Sequence, residues 1–180
     1  MTESEINLSQ VELQQIEQWT GKKYKEKIFD SEKDNWMINT SSFSDRIINR
    51  NNLIFVIEDC NHNKFGFFVN SQISKYNSWI ADSNSFSFTL KSNGRINGMQ
   101  KYDIKPTGIN TVFFLNDRSS PSLFTYGSGT FGFYKENMKA NSFVEQKNEF
   151  FNYRGMSIIF TPGFGNTRFT PRRLTVLQFF

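Results

Sequence analysis

Hydrophobic and polar positions divide the chain into an amphipathic start and a long series of short apolar or alternating runs. Near the N-terminus, Val11, Leu13, Ile16 and Trp19 recur at close to helical spacing, which predicts an amphipathic helix over about residues 9–20. Ser9 and Glu12 stand in the capping-box relation S-x-x-E. The Ser oxygen accepts from an otherwise unpaired amide, and the Glu carboxylate reaches back to the cap N–H. Leu8 and Leu13 fall at hydrophobic-staple positions, and Gly21 supplies the stop. Phe43 and Ile47, one turn apart, predict a second, shorter helix over Ser41–Arg50.

Nearly everything else reads as strand. Lys27–Ser31, Leu53–Asp59, Lys64–Asn70, Ser85–Lys91, Thr111–Leu115, Leu123–Tyr126, Thr130–Lys135 and Leu174–Phe180 are brief runs rich in aromatic and β-branched residues. Within Ser85–Lys91 the alternation is strict: Phe86, Phe88 and Leu90 face one way, and Ser85, Ser87 and Thr89 the other. Cys60-Asn61-His62-Asn63 reads as a hairpin turn, and Asn93-Gly94 as a tight turn. Many short strands, few helices and no βαβ rhythm predict a mainly β protein, a two-sheet antiparallel β-sandwich with flanking helices, as a single domain over residues 1–180.

Composition says what fills such a sandwich. Hydrophobic residues make up 37% of the 180, yet aromatics alone are 17%, with 21 Phe. Each buried aromatic removes about 150–250 Å² from water, so a modest number closes a core. The single cysteine, Cys60, excludes an internal disulfide and a multi-thiolate zinc site. Met1–Gln18 holds four Glu, no base and no apolar stretch of the signal-peptide kind, and the apolar run Leu53–Ile57 is far too short to span a bilayer. The expectation is a cytoplasmic protein, with the nucleus as the alternative.

Charge is unevenly placed. The chain carries +4, and residues 1–20 hold four acids and no base, so the remainder carries +8. Lys22, Lys23, Lys25 and Lys27 follow the first helix, and Arg168, Arg172 and Arg173 precede the last strand. If the termini approach one another, these clusters merge into one anion-binding patch suited to salt-sensitive phosphate contacts, as with DNA. Solvated surface is the plainer reading, and Lys22 and Lys23 also complement the negative end of the first helix. No helix-turn-helix, zinc finger or basic zipper is readable.

Candidate chemistry is sparse. His62, the only histidine, stands two residues from Cys60 and offers at most two metal ligands, so neither metal nor cofactor is expected. Cys60 is a candidate redox thiol. Glu58 and Asp59 are adjacent in a strand and point to opposite faces, which bars a carboxylate dyad. Tyr126-Gly127-Ser128-Gly129-Thr130 only echoes a nucleophile elbow, and its glycines suit a turn or bulge. Pro162-Gly163-Phe164-Gly165-Asn166-Thr167 lacks the Lys and the following helix of a phosphate loop. A non-catalytic protein is predicted.

The order of these segments resembles the TLDc domain, a module of oxidation-resistance and nuclear-receptor-coactivator-like proteins. Lys27-Ile28-Phe29-Asp30-Ser31 leads into the Ser41–Arg50 helix and then Ile54-Phe55-Val56-Ile57-Glu58-Asp59. Lys64-Phe65-Gly66-Phe67-Phe68 matches a strand beginning Phe-Gly, and Phe86-Ser87-Phe88-Thr89-Leu90 a Phe-rich strand. Tyr126–Tyr134 resembles the glycine-rich turn, and Phe169 with Arg172–Leu177 the closing strand. The family's long glycine run is reduced here to Gly127, Gly129 and Gly132, and Asn152–Pro171 is divergent. The resemblance implies two antiparallel sheets packed face to face. It also implies an interaction domain of the oxidative stress response, binding protein partners such as vacuolar-type proton pump subunits. The alternative is a stress-responsive DNA-binding regulator on the same fold.

Overall fold

A computed structural model of the chain describes residues 3–154 and 168–180. A four-residue helix, α1 (Glu3–Ile6), precedes α2 (Gln10–Thr20). Ser9 and Glu12 close both arms of the capping box. Gly21 ends α2 in the left-handed conformation at φ 66°, its N–H donating to the Glu17 carbonyl. A third helix, α3 (Phe43–Ile47), is shorter than the Ser41–Arg50 stretch predicted, because Asn49 at φ 62° turns the chain toward the next strand.

The strands among the described residues form two antiparallel sheets. Six strands, β1 (Tyr24–Asp30), β2 (Leu53–Asp59), β3 (Lys64–Val69), β5 (Phe86–Lys91), β6 (Gln100–Asp103) and β11 (Pro171–Phe179), form one sheet in the order β1-β11-β2-β3-β5-β6. The other holds β4 (Trp79–Ile80), β7 (Phe113–Leu115), β8 (Ser122–Tyr126), β9 (Phe131–Tyr134) and β10 (Phe143–Val144) in the order β10-β9-β8-β7-β4. The fold is a β-sandwich. Its core is aromatic: Phe55 lies 4.6 Å from Phe67 and 5.1 Å from Phe113 across the layers, and Phe67 stacks on Tyr126 at 3.9 Å.

The alternating strand β5 separates two faces, and both are buried. Ser85, Ser87 and Thr89 point inward. Ser85 Oγ lies 2.8 Å from the Tyr126 hydroxyl and donates to the Phe68 carbonyl at 2.6 Å, which satisfies the hydroxyl inside the apolar core. Phe86, Phe88 and Leu90 point outward, where with Ile54, Val56, Phe68, Leu177 and Phe179 they form a second apolar cluster under Ile6, Leu8 and Ile16 of the N-terminal segment. The N-terminal segment with its two helices therefore covers the apolar end of the outer face of the six-stranded sheet. Among the described residues no helix is long and apolar enough to cross a membrane.

Candidate functional site

The outer face of the six-stranded sheet changes character along its strands. In β2 the outward series runs Ile54, Val56, Glu58; in β3 it runs Phe68, Gly66, Lys64; in β11 it runs Phe179, Leu177, Thr175, Arg173. Register aligns the charged ends. Arg173 pairs with Glu58, Glu58 with Lys64, and Lys64 with Lys91 of β5. Asp30 of β1 completes the row beside Arg173. Across five strands the signs are minus, plus, minus, plus, plus.

Most of these charges are held by neighbours. Arg173 donates to both Asp30 oxygens, Nε to Oδ1 at 3.0 Å and Nη2 to Oδ2 at 2.7 Å, and the pair is almost wholly buried. Lys27 donates to the same carboxylate at 2.8 Å. Burial would raise the Asp30 carboxyl, but the bonds from Arg173 and Lys27 outweigh it and hold it at about 2. Glu58 is lowered for the same reason: burial opposes, while His62 Nδ1 at 2.9 Å and Arg172 Nη1 at 2.7 Å prevail. Lys64 reaches Glu12 of α2 at 2.9 Å, so the capping-box carboxylate also fastens the helix to the sheet. A register shift between Pro171 and Arg173 brings Arg172 as well as Arg173 to this face. The arrangement leaves a cleft of about 510 Å³ lined by Asn7, Glu58, Lys64, Lys91, Arg172 and Arg173, with Glu32 at its side.

Pairing of β1 with β11 decides the fate of the two basic clusters. Tyr24 lies opposite Phe179 and Asp30 beside Thr175, so Lys22, Lys23 and Lys25 sit at one end of the strand pair and Arg172 and Arg173 at the other. Six residues at about 3.3 Å each put roughly 20 Å between them. Only Lys27 joins the arginines, through Asp30. Lys23 is bound to Glu17 at 2.7 Å, and Lys25 stands 3.8 Å from Glu26. Arg168 lies elsewhere. It donates to the Asn141 carbonyl at 3.2 Å and shares a second, shallow cleft with exposed Cys60. Glu58 and Asp59 diverge, Asp59 turning to cap the Asn61 and Asn63 amides. The Pro162–Thr167 segment lies outside the described residues.

Sequence reasoning missed Asn7, Lys64 and Lys91. Lys64 had one visible signal, a lysine opening an otherwise apolar strand, while Asn7 carried none.

No curated protein matches the chain. A family model, the TLDc domain, matches residues 1–171, and the chain belongs to the TLDc family.

Proposed function

We propose that this TLDc domain is a non-catalytic interaction module of the oxidative stress response, working in the cytosol through a protein partner, with vacuolar-type proton pump subunits as the partner that the family resemblance implies. Membership of the TLDc family over residues 1–171 carries the reading. The surface chemistry supports it. The basic clusters form no continuous stripe of the kind that tracks a phosphate backbone, and most of their charges are matched by acids on the same face. Met37, on a loop, and Met138, in the 3-10 segment Glu136–Asn141, are both exposed, their segments joined by Ile38 N–H to Asn137 Oδ1 at 3.0 Å, and adaptable methionines suit protein contact.

Affinity capture from cells, scored for pump subunits and for DNA, tests the proposal. Co-purification of pump subunits is the expected result. A sequence-specific DNA complex tighter than about 10⁻⁸ M at physiological salt overturns it in favour of the regulator.

A further inference from the structure

The charged cleft has a surplus of donors. Asn7 sits between α1 and α2 at φ 59°, is 5% exposed, lines the cleft, and leaves its side-chain Nδ2, itself closed to solvent, without an acceptor. A buried donor in that state is costly unless something outside the chain completes it. Lys91 is exposed at the same cleft, has no ion pair among the described residues, and stands opposite Lys64, where the alternation of signs breaks. Arg172 spends one Nη on Glu58 and keeps its remaining N–H groups, with the side chain 48% exposed. Most acceptors are already engaged. Glu58 Oε1 serves His62 and Arg172, both Asp30 oxygens serve Arg173 or Lys27, and Glu32 at the cleft's side lies 3.3 Å from Arg173 Nε. Unmet bonding capacity is therefore chiefly on the donor side, which fits an anion better than a metal ion.

We propose that this cleft binds a phosphoryl oxyanion, held by Lys91, Arg172 and, once its side-chain amide rotates toward the cleft, Asn7. The three donors come from three separate elements: the turn between the helices, the end of β5 and the start of β11. A tetrahedral group with three acceptor oxygens answers three directions at once, where a planar carboxylate offers two oxygens. Arg172 can turn a free N–H to the ligand and keep Glu58, so binding breaks no existing pair. The proposal does not rest on the identity of the protein partner.

Thermal melts of the whole chain in sodium phosphate, against sodium chloride at matched ionic strength, test it. About 10 mM phosphate, tenfold above a Kd near 1 mM, is expected to raise the melting temperature saturably. Asn7→Asp tolerates the same backbone conformation but replaces the donor with a carboxylate, and should weaken phosphate at least about tenfold. Lys91→Gln, an exposed change that spares the fold, should weaken it about threefold or more and serves where the first variant does not fold. Phosphoserine, run in parallel, separates the sources: tighter than phosphate marks an esterified phosphoryl group, equal or weaker marks the free ion. No shift in the unsubstituted protein overturns the proposal, as does an unchanged shift in Lys91→Gln.

Discussion

On the outer face of the six-stranded sheet, the end carrying Ile54, Phe68 and Phe179 is closed by apolar contact with Ile16 and Leu8, whereas the end carrying Arg173, Glu58 and Lys64 is closed by ions bound to one another. Both ends are buried, but by unlike means. Dispersion and the hydrophobic effect are non-directional, so the apolar end tolerates changes of shape and is graded in its response. A buried charge depends on one particular partner, and removal of that partner strands it. The charged end is thus the more brittle of the two, and it is also the end with donors to spare.

The backbone common to both ends is the first place to break the comparison. Gly66 lies in β3 between Lys64 and Phe68, paired with Val56 on one side and Phe88 on the other. A Cβ there would overlap the Phe55 carbonyl oxygen and crowd the Phe88 ring at 2.9 Å, and the carbonyl belongs to a central strand that cannot move aside. Gly66→Ala should cost more than about 4–5 kcal/mol and yield no cooperative melt by near-ultraviolet circular dichroism. A normal melt would show that the sheet can shift as a body.

Next in size is Asp30→Asn, which takes from the Arg173 guanidinium, at 7% exposure, its buried counter-ion and leaves it the half-exposed Glu32 at 3.3 Å. Loss of one partner from a buried pair costs about 3–5 kcal/mol by urea unfolding. The pH dependence follows. The Asp30 carboxyl is depressed from 3.8 to about 2, so its contribution is full above the unfolded value and is lost as pH falls from about 4 through 2. The variant should lose that part of the acid dependence. An equal slope in both proteins would assign acid sensitivity to other carboxylates.

This asymmetry explains what the sequence discloses. Strands β2, β3, β5 and β11 are continuous apolar or alternating runs, and their burial on both faces makes them legible. Strands β4 and β10 are two residues each, and β6 is Gln-Lys-Tyr-Asp with a single buried side chain, so periodicity has nothing to act on. The strand read as Lys27–Ser31 begins at Tyr24, because pairing with the end of β11 draws the polar residues Lys25 and Glu26 into the edge. Asparagine, uninformative as composition, occupies six of the nine non-glycine positions of positive φ among the described residues, where its short side chain tolerates the left-handed conformation. The charged cleft needed register: which acid faces which base across five strands is a property of pairing, not of order along the chain.

The apolar end offers the milder test. Ile16 is fully buried beneath α2, and Ile16→Val removes one methylene from a packed site. A loss of about 0.5–1.5 kcal/mol is expected, with an unchanged urea m-value. A loss as large as that of Asp30→Asn would erase the distinction between the two ends.

The smallest effect sharpens the comparison by moving the same chemistry to the surface. Lys23 and Glu17 are 2.7 Å apart, as close as Arg173 and Asp30, but the lysine side chain is 72% exposed. Water and salt screen it from outside, so distance alone does not set the strength of the pair. Lys23→Gln should cost less than about 1 kcal/mol, and that cost should vanish near 1 M salt, where the screening length falls to about 3 Å. The cost of Asp30→Asn should persist there, because ions do not enter the buried pair. Measured side by side across a salt series, a flat response for Asp30→Asn and a falling one for Lys23→Gln would establish burial as the variable that separates them. Parallel decline in both would mean that solvent reaches Asp30, and the charged end would then be no more brittle than the rim.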